Sequence, residues 1–163
     1  MQQDRHIEIN ISKQTLSLFE GNDVIKQYTI STAKNGPGEL IDSECTPRGE
    51  HIIREKFGAG CEVNTVFVGR EPTSELYHPE LRQQFPDRDW ILTRILWLSG
   101  CEAGRNKGGS VDSYDRYIYI HGSPDDLAMG SPGSRGCVRM RNQDMIELFE
   151  LVETETSVDI IEE

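Results

Sequence analysis

A mostly β domain of the α+β class is what this sequence predicts, and three observations predict it. Apolar residues alternate with polar ones from the start (Ile7, Ile9, Ile11, then Leu16 and Leu18), strand-rich composition recurs at Arg116–Ile120 and at Val158 and Ile160, and a clear helical stripe occurs only near the end. At 163 residues the chain suits one compact domain, 1–163, large enough to bury most of the surface its unfolded form exposes.

Taken in order, Ser12-Lys13-Gln14 separates the first two alternating runs and predicts a hairpin. Gly21-Asn22 marks a second turn, and Val24 to Ser31 a third strand, so the first third is a β-meander. Lys34 to Pro47, rich in Gly, Pro and acidic residues, suits a loop, and Gly49 to Arg54 resumes strand composition. Within 57–109, Val66-Phe67-Val68 suits a short strand and Ser74 to Phe85 an irregular or helical excursion. Trp90 to Leu98 is apolar on both faces and fits a buried strand or a helix. Arg116–Ile120 leads into His121-Gly122, which places His121 at a strand end. A glycine-rich loop, 130–136, follows. Asn142 is suited to cap a helix whose Met145, Leu148, Phe149 and Val152 form one stripe at i, i+3, i+4 and i+7, before a closing strand. No internal repeat is visible.

Lys and Arg number 17 against 28 Asp and Glu, a net charge of −11, and the far field of such a chain repels nucleic acid and anionic membrane alike. No apolar run approaches the roughly 18 residues of a membrane span, and residues 1–11 alternate instead of forming the apolar block of a signal peptide. The expectation is therefore a cytoplasmic protein, or a periplasmic one if a leader has been removed. Cys45, Cys61, Cys101 and Cys137 are widely spaced, with no CxxC pair and no metal-ligand spacing, so neither a structural zinc, another metal nor a cofactor is expected. His6, His51 and His78 lack a partner motif and suit structural or surface roles; Trp90 and Trp97 suit the core, and Asp144 the first turn of the last helix.

Chemistry concentrates in Ser134-Arg135-Gly136-Cys137-Val138-Arg139-Met140, whose cysteine lies sixteen positions after His121. A thiol is a good nucleophile only as thiolate, which requires a positive field or a base. No acidic residue stands between Leu127 and Gln143, while Arg135, Arg139 and Arg141 do, a local reversal of sign in an acidic chain. Gly136 permits backbone conformations in which successive amides converge on one oxygen, and neutral His121 can take the thiol proton and return it to a leaving amine.

His121-Gly122, a loop, and Ser134-x-Gly136-Cys137-Val138-Arg139-Met140 together resemble the catalytic signature of the L,D-transpeptidase (YkuD) family. The N-terminal hairpin, the strand ending in Ser31-Thr32 and Thr46-Pro47-Arg48-Gly49 resemble further family features, so the likeness covers most of the chain apart from about 57–109. It implies a YkuD-like β-sandwich or barrel with a few helices, one of them after the cysteine. It also implies Cys137 as nucleophile, His121 as base, and the Gly122 carbonyl orienting the imidazole. Amides of Arg135, Gly136 and Cys137 would form the oxyanion hole, and Ser134 and Arg139 would contact substrate. Arg135 stands where many members have His.

The implied substrate is a peptidoglycan tetrapeptide or muropeptide, cut between the stem diamino acid and the terminal D-Ala, with carbapenems as possible covalent inhibitors. Water resolving the acyl-enzyme gives an L,D-carboxypeptidase of muropeptide recycling, the favoured outcome given a cytoplasmic location. An amine resolving it gives an L,D-transpeptidase forming cross-links or exchanging D-amino acids. An inactive wall-fragment binding module is the non-enzymatic alternative, and a metal-dependent peptidase lacks ligands.

Overall fold

The alternating residues at the start of the chain do form a hairpin. In the computed structural model, which describes residues 4–163, β1 (Arg5–Asn10) pairs antiparallel with β2 (Thr15–Glu20), setting Ile7 opposite Leu18 and Ile9 opposite Leu16. Period-two alternation puts all four on one face, and all four are fully buried. The turn needs a positive φ at Gln14 (53°), and the buried Gln14 side chain braces it, its Nε2 donating to the Ile11 carbonyl and to Thr32 Oγ1, both at 2.7 Å.

The remaining elements are β3 (Asp23–Ser31), β4 (Gly49–Phe57), β5 (Thr65–Val68), β6 (Glu71–Leu76), α1 (Pro79–Gln84), β7 (Leu92–Gly100), β8 (Tyr119–Ser123), β9 (Val138–Arg141), α2 (Asn142–Leu151) and β10 (Ser157–Ile161). Strands are ordered β4-β10-β1-β2-β3-β9-β8-β7-β5-β6, and a further pairing of β4 with β7 closes the first eight into a barrel, leaving the β5–β6 hairpin as a flap on β7. Closure removes the free edges that an open sheet of this size would expose. The main core gathers side chains from both ends of the chain, including Ile9, Leu18, Ile53, Leu96, Ile120, Met140 and Ile160, and α2 adds Met145, Leu148 and Phe149 to it as its apolar stripe predicts.

The two-faced apolar run in the middle is a strand. All nine residues of β7 are buried, because Leu96 and Leu98 enter the main core while Ile95 and Trp97 pack into a second cluster with Phe67 and Tyr119 on the opposite face. Burial on both sides removes the alternation that would have identified the element.

Four local expectations are corrected. The strand expected at Arg116–Ile120 begins at Tyr119, since Tyr117 (φ 58°) closes a turn, so His121 lies inside β8 with Gly122 and Ser123 continuing it. Asn142 is the first helical residue of α2 and does not cap it; its side chain is turned into a buried network described below. Ser74 to Phe85 is strand, then a break, then the short helix α1. A strand, β9, follows Cys137 directly, where only a loop and a helix were expected.

Candidate active site

Parallel pairing of β8 with β9 sets Ile120 opposite Val138 and His121 opposite Arg139. Ile120, Val138 and Met140 point into the main core. Residues alternating with them therefore share the other face, which displays Tyr119 and His121 from β8 beside Cys137 and Arg139 from β9 and the residue before it. This register brings residues sixteen apart in sequence to one face of adjacent strands.

His121 is fully buried, and its Nδ1 lies 2.6 Å from the Gly122 carbonyl. A carbonyl only accepts, so Nδ1 carries the proton and Nε2 is left as the lone-pair acceptor. Among the described residues Nε2 has no hydrogen-bond partner. Burial holds the imidazole below its ordinary range, against the raising effects of Asp89 and the Gly122 carbonyl, which leaves a neutral base.

Cys137 Sγ lies 3.4 Å from the Tyr119 amide nitrogen, which donates to it, and donates to the Tyr117 carbonyl at 3.3 Å. Burial, followed by the Asp89 carboxylate, pushes the thiol up to about 12, while the Tyr119 amide, Arg139 and Arg116 oppose that shift. The positive field expected around the cysteine is thus outweighed. Arg139 is engaged by Asp89 (Nη2 to Oδ1, 3.4 Å), Arg135 donates to the Asp87 carbonyl at 2.6 Å, and Arg141 is exposed. Both groups rest neutral, a thiol and an imidazole on one sheet face, which suits proton transfer during attack rather than before it.

The loop before Cys137 is tied down by the pieces the family likeness singled out. Gly133 and Ser134 amides donate to the Thr32 carbonyl at 2.8 and 3.0 Å, and Thr46 Oγ1 donates to the Gly136 carbonyl at 2.9 Å. Ser134 is 3% exposed; its hydroxyl donates to the Cys137 carbonyl at 2.5 Å and accepts from the Gly136 amide at 3.1 Å. Ser134 therefore staples this loop and is turned away from the cleft, and the Gly136 amide is already engaged. Gly136 has φ 130°, where a side chain would be strained, and an added Cβ would also come within 3.3 Å of the Cys45 carbonyl.

Behind His121 lies a polar network that the sequence did not reveal. Thr93 Oγ1 donates to Asn142 Oδ1 at 2.6 Å, and Asn142 Nδ2 reaches Asn64 Oδ1 at 3.0 Å and Asp125 Oδ1 at 3.1 Å. This layer presses on Gly122, where a Cβ would stand 2.5 Å from Asn142 Oδ1 and 2.6 Å from the Leu92 carbonyl. Glycine is needed there so that the carbonyl holding His121 can sit so close to β7.

A cleft of 540 Å³ opens over Cys137, lined also by Arg70, Asp89, Ile91, Tyr117, Tyr119 and Arg135 among others. A hollow of 260 Å³ adjoins it across Arg116, Tyr117, Ile118 and Arg135 and carries Asp42, Glu44 and Asp115. Arg70 and Asp89 come from the 57–109 stretch, where no motif marked them. Of the other residues weighed above, His51 is buried with Nδ1 3.0 Å from the Gly49 carbonyl and Nε2 2.8 Å from Ser113 Oγ, and Trp90 and Trp97 are buried. All four cysteines are free thiols, and no cluster of metal-ligating side chains occurs among the described residues. None of the described helices is long and apolar enough to cross a membrane.

The class of protein is thus a closed β-barrel that presents a buried imidazole on one strand and a free thiol at the start of the strand parallel to it. The comparisons make this specific: the family model for the L,D-transpeptidase catalytic domain, YkuD, matches residues 4–160, and the chain belongs to that family. YkuD of Bacillus licheniformis is 25% identical over 159 residues, 94% of this chain and 64% of the relative, and YkuD of Bacillus subtilis is 26% identical over 160 residues, 95% and 65%. The chain thus spans just under two thirds of the length of these relatives. Among solved structures, an L,D-transpeptidase from Mycobacterium smegmatis superposes with a TM-score of 0.58 at 14% identity, covering 97% of this chain and 58% of that one. L,D-transpeptidase 3 of Mycobacterium tuberculosis, in complex with a faropenem-derived adduct, gives 0.59 at 15%, covering 98% and 60%. At such identities these two structures support the fold.

Proposed function

We propose that Cys137 forms an acyl-enzyme with peptidoglycan tetrapeptides, cutting between the stem diamino acid and the terminal D-Ala, and that water then releases the tripeptide. The observation carrying this reading is the buried, neutral Nε2 of His121, unpartnered among the described residues, on the same sheet face as Cys137.

In the first step Nε2 takes the thiol proton as Sγ attacks the carbonyl carbon of the diamino acid. The tetrahedral intermediate expels the D-Ala amine, which receives that proton, and a thioester remains. Water next attacks the thioester while Nε2 takes a proton from it; collapse expels the thiolate, which the imidazolium reprotonates. Amides of Arg135 and Cys137 are the donors we assign to the oxyanion, since Ser134 occupies that of Gly136.

Hydrolysis comes first because it asks nothing of the site beyond this base and a water. In that role the protein is an L,D-carboxypeptidase working on released muropeptides in the cytoplasm. Transpeptidation is the second reading, favoured by the adjoining hollow, whose Asp42, Glu44 and Asp115 suit an incoming ammonium. Carbapenems should acylate Cys137 in either case, a complex with the carbapenem imipenem being known for the L,D-transpeptidase LdtMt1. Purified protein incubated with disaccharide-tetrapeptide, with and without excess D-amino acid, distinguishes the two by mass spectrometry. Tripeptide should dominate; exchange product in its place overturns hydrolysis, and the absence of any Cys137-dependent product leaves only the binding-module alternative.

A further inference from the structure

Among the described residues, the arginines in and beside the cleft differ in what their guanidinium groups are spent on. Arg116 spends its guanidinium on the carbonyls of Gly38, Glu39 and Cys45 and on Ser43 Oγ, while Arg135 and Arg139 are engaged by the Asp87 carbonyl and the Asp89 carboxylate. Arg70 also lines the cleft, yet among the described residues its one hydrogen bond is to a phenol, from Nη1 to Tyr119 Oη at 3.0 Å. Its guanidinium carbon stands over Trp97, 4.5 Å from the ring centroid, and 5.3 Å from that of Tyr117. Such a cation is fixed in place with most of its N–H donors free, the arrangement that receives a carboxylate in two parallel hydrogen bonds.

The backbone points the same way. Gly69 and Arg70 form the two-residue connection of the β5–β6 flap, with Val68 paired to Glu71, and both have positive φ, 56° and 68°. Turns of this kind favour Asn, Asp or Gly, and glycine most of all at the second position. An arginine there is strained, and its side chain lies across the aromatic wall of the catalytic cleft instead of in solvent.

Resting on the acyl-enzyme reading above, we infer that Arg70 binds a carboxylate at the far end of the stem diamino acid's side chain, selecting a diaminopimelate over its amidated form or lysine. Reach favours the more distant of the substrate's two carboxylates. Tyr119 touches Cys137 Sγ with its amide and Arg70 with its hydroxyl, and these ends of a tyrosine are separated by about 6 Å or more. The carboxylate of the leaving D-Ala is three bonds from the scissile carbonyl carbon, under ~4 Å, whereas that of a diaminopimelate side chain is six bonds away, roughly 7 Å when extended. The longer arm matches that separation.

The test compares kcat/KM for three tetrapeptides, carrying diaminopimelate, amidated diaminopimelate or lysine, in the unmodified protein, Arg70→Gln and Arg70→Lys, together with the rate at which iodoacetamide alkylates Cys137. The unmodified protein should favour diaminopimelate at least tenfold. Arg70→Gln should erase that preference with alkylation unchanged, and Arg70→Lys should retain part of it. A preference that survives in Arg70→Gln, no preference in the unmodified protein, or an equal loss on all three substrates overturns the inference. If no tetrapeptide is cleaved, the acyl-enzyme reading itself has failed. Binding of the three corresponding tripeptides to Cys137→Ala then decides the role of Arg70 separately, equal affinities counting against it.

Discussion

His121 donates Nδ1–H to the carbonyl of the next residue, Gly122, at 2.6 Å, and this bond fixes which ring nitrogen is free to act as base. Replacing His121 by Gln removes the base while keeping a polar group in the pocket. Turnover of tetrapeptide should fall by roughly 10²–10⁴-fold, the range expected for loss of general acid–base catalysis, with the melting transition of the protein still cooperative. Retained turnover in steady-state assays would remove His121 from the mechanism.

The free thiol of Cys137 should be sluggish. Burial, and then Asp89, hold it up to about 12, so alkylation by iodoacetamide at neutral pH should be slower than for an unstructured cysteine and still rising above pH 9. Asp89→Asn should accelerate it. A rate already level at pH 7 would mean a preformed thiolate.

Gly122 has no room for a side chain. Gly122→Ala drives a Cβ against Asn142 Oδ1 and the Leu92 carbonyl, and should cost about 1–3 kcal/mol or more in denaturant unfolding. Asn142→Ala leaves Thr93 and Asn64 groups unpaired in the same layer, with a loss of about 1–3 kcal/mol. Wild-type-like midpoints for both would show that the layer can relax.

His51 predicts an acid-side loss of stability. Burial holds its imidazole at about 4, against an ordinary 6.5, so the unfolded chain binds a proton that the folded one refuses. The contribution is intact above about pH 6.5 and is lost as pH falls from there towards 4, on the order of 3 kcal/mol in all. In urea titrations across that window, His51→Gln should flatten the slope; an unchanged slope assigns the acid sensitivity to other groups.

The sequence disclosed the candidate pair and hid its surroundings, for physical reasons. His121 and Cys137 carry rare chemistry in a glycine-marked context, and the N-terminal meander and α2 bury a single face each, so periodicity exposes them. β7 is buried on both faces and carries no such signal. Asp89, Arg70, Thr93 and Asn142 act through contacts with residues 49 to 78 positions away, which spacing along the chain does not encode. Arg139 illustrates the consequence: locally it is one cation in an acid-free stretch, yet in the fold Asp89 answers it. The local hint at Arg70 was its place directly after Gly69, which ends the strand-like run Val66-Phe67-Val68.

The central claim is that Cys137 becomes covalently acylated. Intact-protein mass spectrometry after rapid mixing with tetrapeptide, or with a carbapenem, tests it directly. An added mass equal to the acyl tripeptide or the opened carbapenem, mapped to Cys137 by digestion and lost in Cys137→Ala, is the predicted result. Product formation without any adduct on Cys137, or an adduct that persists in Cys137→Ala, would contradict it.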